Sequence, residues 1–245
     1  GLLVVDEQHR FGVEQRSALV DRAEVPPHVL VMTATPIPRT IAMTVFGDLE
    51  ISTLRELPAG RQPIQTTVVP AGRQSWVDRA WERVREEVGR GRQAYVVVSR
   101  IGEETGDALK ETRSLLELVE ELTAGPLHGL RVGSLHGRMG SDEKDAAMNA
   151  FSSGALDVLV ATTVVEVGVD VPNATVMVIM DAERFGMSQL HQLRGRVGRG
   201  SEGGLCLLVT TSEDGSPSRE RLDAVASTSD GFELFPWPRA SGSTM

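Results

Sequence analysis

The sequence predicts an α/β fold built on parallel sheets. Short runs rich in Val, Leu and Ile alternate along the chain with amphipathic stretches, the rhythm of repeated strand and helix units. Several of these runs stop abruptly in hydroxyl, acidic or glycine residues, as Val4-Val5-Asp6-Glu7 and Val160-Ala161-Thr162-Thr163 do. The 245 residues are 40% apolar and 24% charged, an ordinary globular composition with room for one or two domains.

Taken in order, strands are expected at Leu2–Val5, His28–Thr33, Ile64–Val69, Gln93–Ser99, Arg131–His136, Asp157–Ala161, Ala174–Met180 and Gly204–Thr210. Helices are expected at Val13–Ala23, Pro38–Gly47, Arg73–Val88, Ala108–Leu122, Asp142–Phe151, Gln189–Leu193 and Ser218–Ala226. In the third helix Val77, Ala80, Trp81, Val84 and Val88 form one apolar face, which makes Trp81 a core residue. Ser141, ahead of Asp142 and Glu143, reads as an N-cap with acids in the first turn. The breaker-rich segment 57–63 divides the chain into residues 1–58 and 59–234, and 235–245 reads as an irregular tail.

Composition excludes several classes. No window holds the ~18 uninterrupted apolar residues of a membrane span, and no secretory leader is visible, so a cytoplasmic protein without membrane association is expected. Cys206 is the single cysteine and lies in an apolar run, where it reads as an inert buried thiol. A net charge of −9 argues against binding polyanions by bulk charge, so any nucleic-acid contact must be local.

Four segments carry candidate chemistry. Asp6 and Glu7 close an apolar strand, where carboxylates can anchor magnesium and activate water; taken alone, a solvated strand end is the better explanation of the pair. Gln192-Leu193-Arg194-Gly195-Arg196-Val197-Gly198-Arg199 sets glycines beside arginines, whose planar forks suit phosphate oxygens. Thr162, Thr163, Gly168 and Asp170 follow another strand; the hydroxyls either meet a nucleic-acid phosphate or cap a helix. Thr33-Ala34-Thr35-Pro36-Ile37-Pro38-Arg39-Thr40 places two hydroxyls at the end of the second strand.

Together and in this order, residues 1–234 resemble the superfamily-2 helicases, in which two RecA-like domains clamp ATP between them. Residues 6–12 resemble motif II, 33–40 motif III, 95–100 motif IV, 135–139 motif IVa, 162–170 motif V and 192–199 motif VI. Gln8, His191 and Gly200 favour the RecG-type ATP-dependent DNA helicases over the similar transcription-repair coupling translocase Mfd. The resemblance implies an incomplete first RecA-like domain followed by a complete second one. It also implies ATP and magnesium as cofactors, branched or forked DNA as partner, and a monomer.

The same resemblance assigns roles. Asp6 would hold magnesium through water and Glu7 would activate the hydrolytic water, with Gln192, Arg196 and Arg199 acting on the γ-phosphate. Gln8, His9, Thr33 and Thr35 would couple nucleotide state to DNA, Gly168 and Asp170 would lie at the nucleotide, and Thr162, Thr163 and Arg39 at the DNA. The phosphate-binding loop Gly-x-x-x-x-Gly-Lys-Ser/Thr is absent, since Lys110 and Lys144 follow Leu109 and Glu143. A fragment with an unrelated tail, inactive by itself, is therefore expected. The rival expectation is a non-catalytic nucleic-acid-binding module.

Overall fold

The structure is a computed structural model that describes residues 1–5, 28–32, 52, 62–99, 108–162, 170–200 and 202–228. The chain divides into two compact units, residues 1–51 and 52–245. In the first, strand β1 (Leu2–Val5) pairs in parallel with β2 (His28–Val31), Leu2 opposite His28 and Val5 opposite Val31. The helices expected at 13–23 and 38–47 and the tail at 235–245 lie outside the described residues.

The second unit is a six-stranded, wholly parallel sheet flanked by helices. Its elements follow as β3 (Ile64–Pro70), α1 (Gln74–Gly89), β4 (Gln93–Val97), α2 (Ala108–Ala124), β5 (Val132–Leu135) and α3 (Ser141–Ser152). Then come β6 (Val158–Ala161), β7 (Ala174–Ile179), α4 (Met187–Arg194), β8 (Gly204–Thr210) and α5 (Pro217–Ser227). The strand order is β3-β8-β7-β4-β6-β5, so the apolar runs of β4, β6 and β7 are central and every residue in them is buried. A parallel sheet covered on both faces requires such unbroken apolar strands.

Strand side chains alternate between faces and so build two cores. Ala94, Val96, Val160 and Val178 pack with Trp81 and Val84 of α1 and Leu115 and Leu122 of α2. Tyr95, Val97, Leu159 and Met177 pack with Phe151 of α3, Leu190 and Leu193 of α4, and Leu222 and Val225 of α5. The rings of Tyr95 and Phe151 meet at 4.7 Å with a 55° tilt, a favourable aromatic geometry. Cys206 is fully buried in the second of these cores, and burial pushes its thiol up to about 12, so it is inert as expected. Among the described residues no helix is long and apolar enough to cross a membrane.

Two details depart from the sequence reading. Gly140, not Ser141, is the N-cap of α3; its N–H donates to Oε2 of Glu143 at 2.8 Å, so the acid three residues in does the capping. A 3₁₀ turn at Ala182–Arg184 was not expected; it is entered through Asp181 in the left-handed region at φ 49°. That turn is tied down by Glu183, whose carboxylate accepts from the hydroxyls of Thr210 at 2.6 Å and Thr211 at 2.8 Å.

The apolar face of α1 also buries a carboxylate. Glu87 is 5% exposed and accepts from Arg92 at 2.8 Å, Arg90 at 2.6 Å and the Thr175 hydroxyl at 3.1 Å. Burial pulls its pKa up, but the bonds from Arg92 and Thr175 outweigh it and hold the group below its ordinary value of 4.5. A depressed carboxylate pKa contributes stability above the unfolded value, and that contribution is lost as pH falls through the folded one. Glu87→Gln is therefore expected to lower unfolding free energy at neutral pH by about 1–3 kcal/mol. Denaturant titrations at neutral and acid pH check it: the gap between the two proteins narrows as the pH drops below 4.5.

Candidate functional site

The arginine-rich segment is built by α4 and the loop after it. Leu190 and Leu193 bury one side of α4 against the sheet. Its start is capped by Gly186, whose N–H donates to Oε1 of Gln189 at 2.9 Å. Its end is Gly195, whose N–H reaches back to the His191 carbonyl at 3.0 Å. Gln192 therefore sits on the helix, while Arg196 and Arg199 lie on the loop beyond.

The glycines of this loop serve the sheet as much as any ligand. Gly198 has φ +64°, a region that costs an L-residue about 1–2 kcal/mol. A Cβ there would stand 2.8 Å from the Gly204 nitrogen, and one on Gly200 would stand 2.9 Å from the Pro172 carbonyl. The Gly198 N–H donates to the Ala174 carbonyl at 3.1 Å, which pins the loop to the first residue of β7. What these glycines allow in the structure is a close approach to β7 and β8.

Arg199 and Asp170 are brought together. Nη1 of Arg199 is 3.4 Å from Oδ1 of Asp170, and its Nε donates to the Gly195 carbonyl at 2.9 Å. The side chains are 34% and 53% exposed, so both reach solvent and the pair is weakly held. Tyr95 feels the same charges. Burial pushes its hydroxyl up to about 12, with Asp170 adding to the rise and Arg196 and Arg199 opposing it. Arg196, Arg199, Asp170 and the buried Tyr95 thus share one electrostatic neighbourhood.

A second polar row lies at the opposite, C-terminal end of the sheet. Leu135, Ala161 and Val97 are aligned across β5, β6 and β4, so His136, Thr162 and Ser99 follow at adjacent strand ends. Thr162 is buried and its N–H already donates to the Leu135 carbonyl at 3.2 Å. A phosphate can therefore use its amide only by displacing that bond. Nδ1 of His136 and Oγ of Ser99 are buried without a hydrogen-bond partner among the described residues. Burial is the main cause that lowers the His136 pKa, Arg138 and Lys144 lower it further and Glu143 opposes them, so the neutral imidazole is favoured at neutral pH. Neither Ser99 nor His136 was singled out from the sequence, although both lie in the segments 95–100 and 135–139.

Asp6, Glu7, Gln8, His9, Thr33, Thr35, Arg39, Thr163 and Gly168 lie outside the described residues. Among the described residues no group of three His, Cys, Asp or Glu side chains is placed to hold a metal ion.

Comparison with known proteins bears on this arrangement. Residues 80–201 match the helicase conserved C-terminal domain. Over 96% of its length the chain is 57% identical to the ATP-dependent DNA helicase RecG of Mycobacterium leprae. By sequence, the chain is RecG-like. It spans about a third of the length of that relative, 33%. A solved structure of RecG bound to a three-way DNA junction superposes on 99% of the chain with a TM-score of 0.76 and 41% identity, the chain covering 30% of it. The fold recurs in the S. cerevisiae protein Dbp5 bound to RNA and ADP BeF3, with a TM-score of 0.58 at 16% identity over 92% of this chain and 56% of that one. The six-stranded unit therefore has the fold of RecA-like helicase domains.

Gly198→Ala is expected to lower unfolding free energy by at least about 1–2 kcal/mol. Thermal denaturation measures it, with Gly72→Ala as the control, since a Cβ at Gly72 meets nothing within 4 Å.

Proposed function

We propose that this chain is the motor portion of an ATP-dependent DNA helicase that remodels branched or forked DNA. The observation that carries the reading is the identity of 57% to a RecG helicase across nearly the whole chain, with the arginine loop inside the matched region. The junction-bound relative supports a branched DNA partner. A cytoplasmic, monomeric enzyme and the division into 1–58, 59–234 and 235–245 belong to the same reading.

The residues present suit a nucleotide polyphosphate. Arg196 and Arg199 offer forked cationic donors on a loop whose course is fixed by β7, and Asp170 beside them is an acceptor for a sugar hydroxyl. Gln192 supports the arginines from the helix, and Gly168 lies close in sequence to Asp170. The nucleotide, when bound, supplies a γ-phosphoryl group whose negative charge the two guanidinium groups neutralise as it leaves. Asp6 would hold magnesium through water, and Glu7 would accept the proton of the attacking water. Gln8, His9, Thr33 and Thr35 relay nucleotide state toward the DNA, which Thr162, Thr163 and Arg39 contact.

The test uses a full-length RecG-type helicase carrying this segment. Arg199→Ala is expected to lower DNA-stimulated ATP turnover by about 10³- to 10⁵-fold. Glu7→Gln is expected to abolish turnover while nucleotide binding persists. Unchanged turnover in either variant removes the role assigned to that residue.

A further inference from the structure

Arg194 ends α4 and directly precedes the arginine loop, yet it is only 3% exposed. A cation stripped of water needs fixed acceptors, and this one has them. Nη1 donates to the carbonyls of Val225 at 2.8 Å and Thr228 at 2.5 Å, and Nη2 to Nδ1 of His191 at 2.8 Å. Val225 lies in the last turn of α5 and Thr228 is its C-cap, where carbonyls lack helical partners and carry the negative end of the helix dipole. The guanidinium thus closes the end of one helix from the end of another.

The loop that follows has little slack. Gly195 and Arg196 still donate backward, to the carbonyls of His191 and Leu193 at 3.0 Å each, and Gly198 is fastened to Ala174. Arg196 lies between the anchor at Arg194 and the anchor at Gly198, and Arg199 lies one residue past the second.

We propose that Arg194 is a positioning residue: by tying the last turn of α4 to the end of α5, it fixes where α4 stops and the direction in which Arg196 leaves the backbone. The inference rests on the nucleotide role given to Arg196 and Arg199 above. Arg194 itself, buried among carbonyls, does not touch the nucleotide. Methionine in its place fills volume but removes the donor that Arg194 offers to the Val225 and Thr228 carbonyls. Lysine keeps the charge but not the planar fork that serves two carbonyls and an imidazole together.

The test compares Arg194→Met, Arg194→Lys and Arg196→Ala. In the chain itself, hydrogen exchange at the amides of 195–198 is expected to quicken about tenfold in Arg194→Met while β4 and β7 stay protected. In a full-length RecG-type helicase carrying the segment, Arg194→Met is expected to lower kcat roughly tenfold to a hundredfold with the KM for ATP unchanged, and Arg194→Lys to recover part of the loss. Loop exchange and kcat that match the unmodified protein overturn the proposal, as does exchange that quickens equally across β4 and β7. If Arg196→Ala leaves turnover intact, the nucleotide reading fails instead, and the exchange result still decides whether Arg194 orders the loop.

Discussion

The arrangement depends on one constraint: the loop carrying Arg196 and Arg199 must lie flat against the starting ends of β7 and β8. Gly198 makes this possible with a left-handed backbone and no side chain, and its N–H closes on the Ala174 carbonyl. The apolar residues of α4 bring the chain back across the sheet face, and the glycines then let it turn without striking Pro172 or Gly204. A mobile arginine pair gives up much of its binding energy to ordering, whereas a pair held by a packed scaffold gives up little. Here packing and chemistry meet in eight consecutive residues.

Electrostatics follow the same economy. The protein is acidic overall, so in the proposed role the two arginines would meet a phosphate through a local field and not through net charge. Arg199 rests on Asp170 and on the Gly195 carbonyl, contacts that satisfy the guanidinium yet stay open to solvent. Such a half-exposed pair is weak enough to exchange its carboxylate for a phosphate. The buried Tyr95 hydroxyl, on the central strand β4, feels the charges of Asp170, Arg196 and Arg199.

Much of the fold was legible in the sequence because its sheet is parallel and covered on both faces. That condition forces runs such as Tyr95-Val96-Val97 and Val158-Leu159-Val160, which are visible without any structure. The apolar face of α1, with Trp81 and Val84 in the core, followed from helical periodicity. Caps were harder: Ser141 has the better capping side chain, but Gly140 takes the position because Glu143 reaches back to its N–H. Glu87 and Arg194 could not be read as buried, since their burial depends on partners from distant parts of the chain, Thr175 and Val225 among them. The sequence placed Asp170 and Arg199 at the same nucleotide but not as a pair, and the polar row of Ser99, Thr162 and His136 required the strand order.

The proposed role of Arg196 and Arg199 is action on a nucleotide phosphate. A structure of a full-length RecG-type helicase carrying this segment, bound to ADP and beryllium fluoride on forked DNA, tests it most directly. Arg199 is expected to leave Asp170 and both guanidinium groups to lie within hydrogen-bond distance of the fluoride group, with the Gly198 to Ala174 bond intact. Arg199 still paired with Asp170, and Arg196 turned away from the fluoride group, would contradict it.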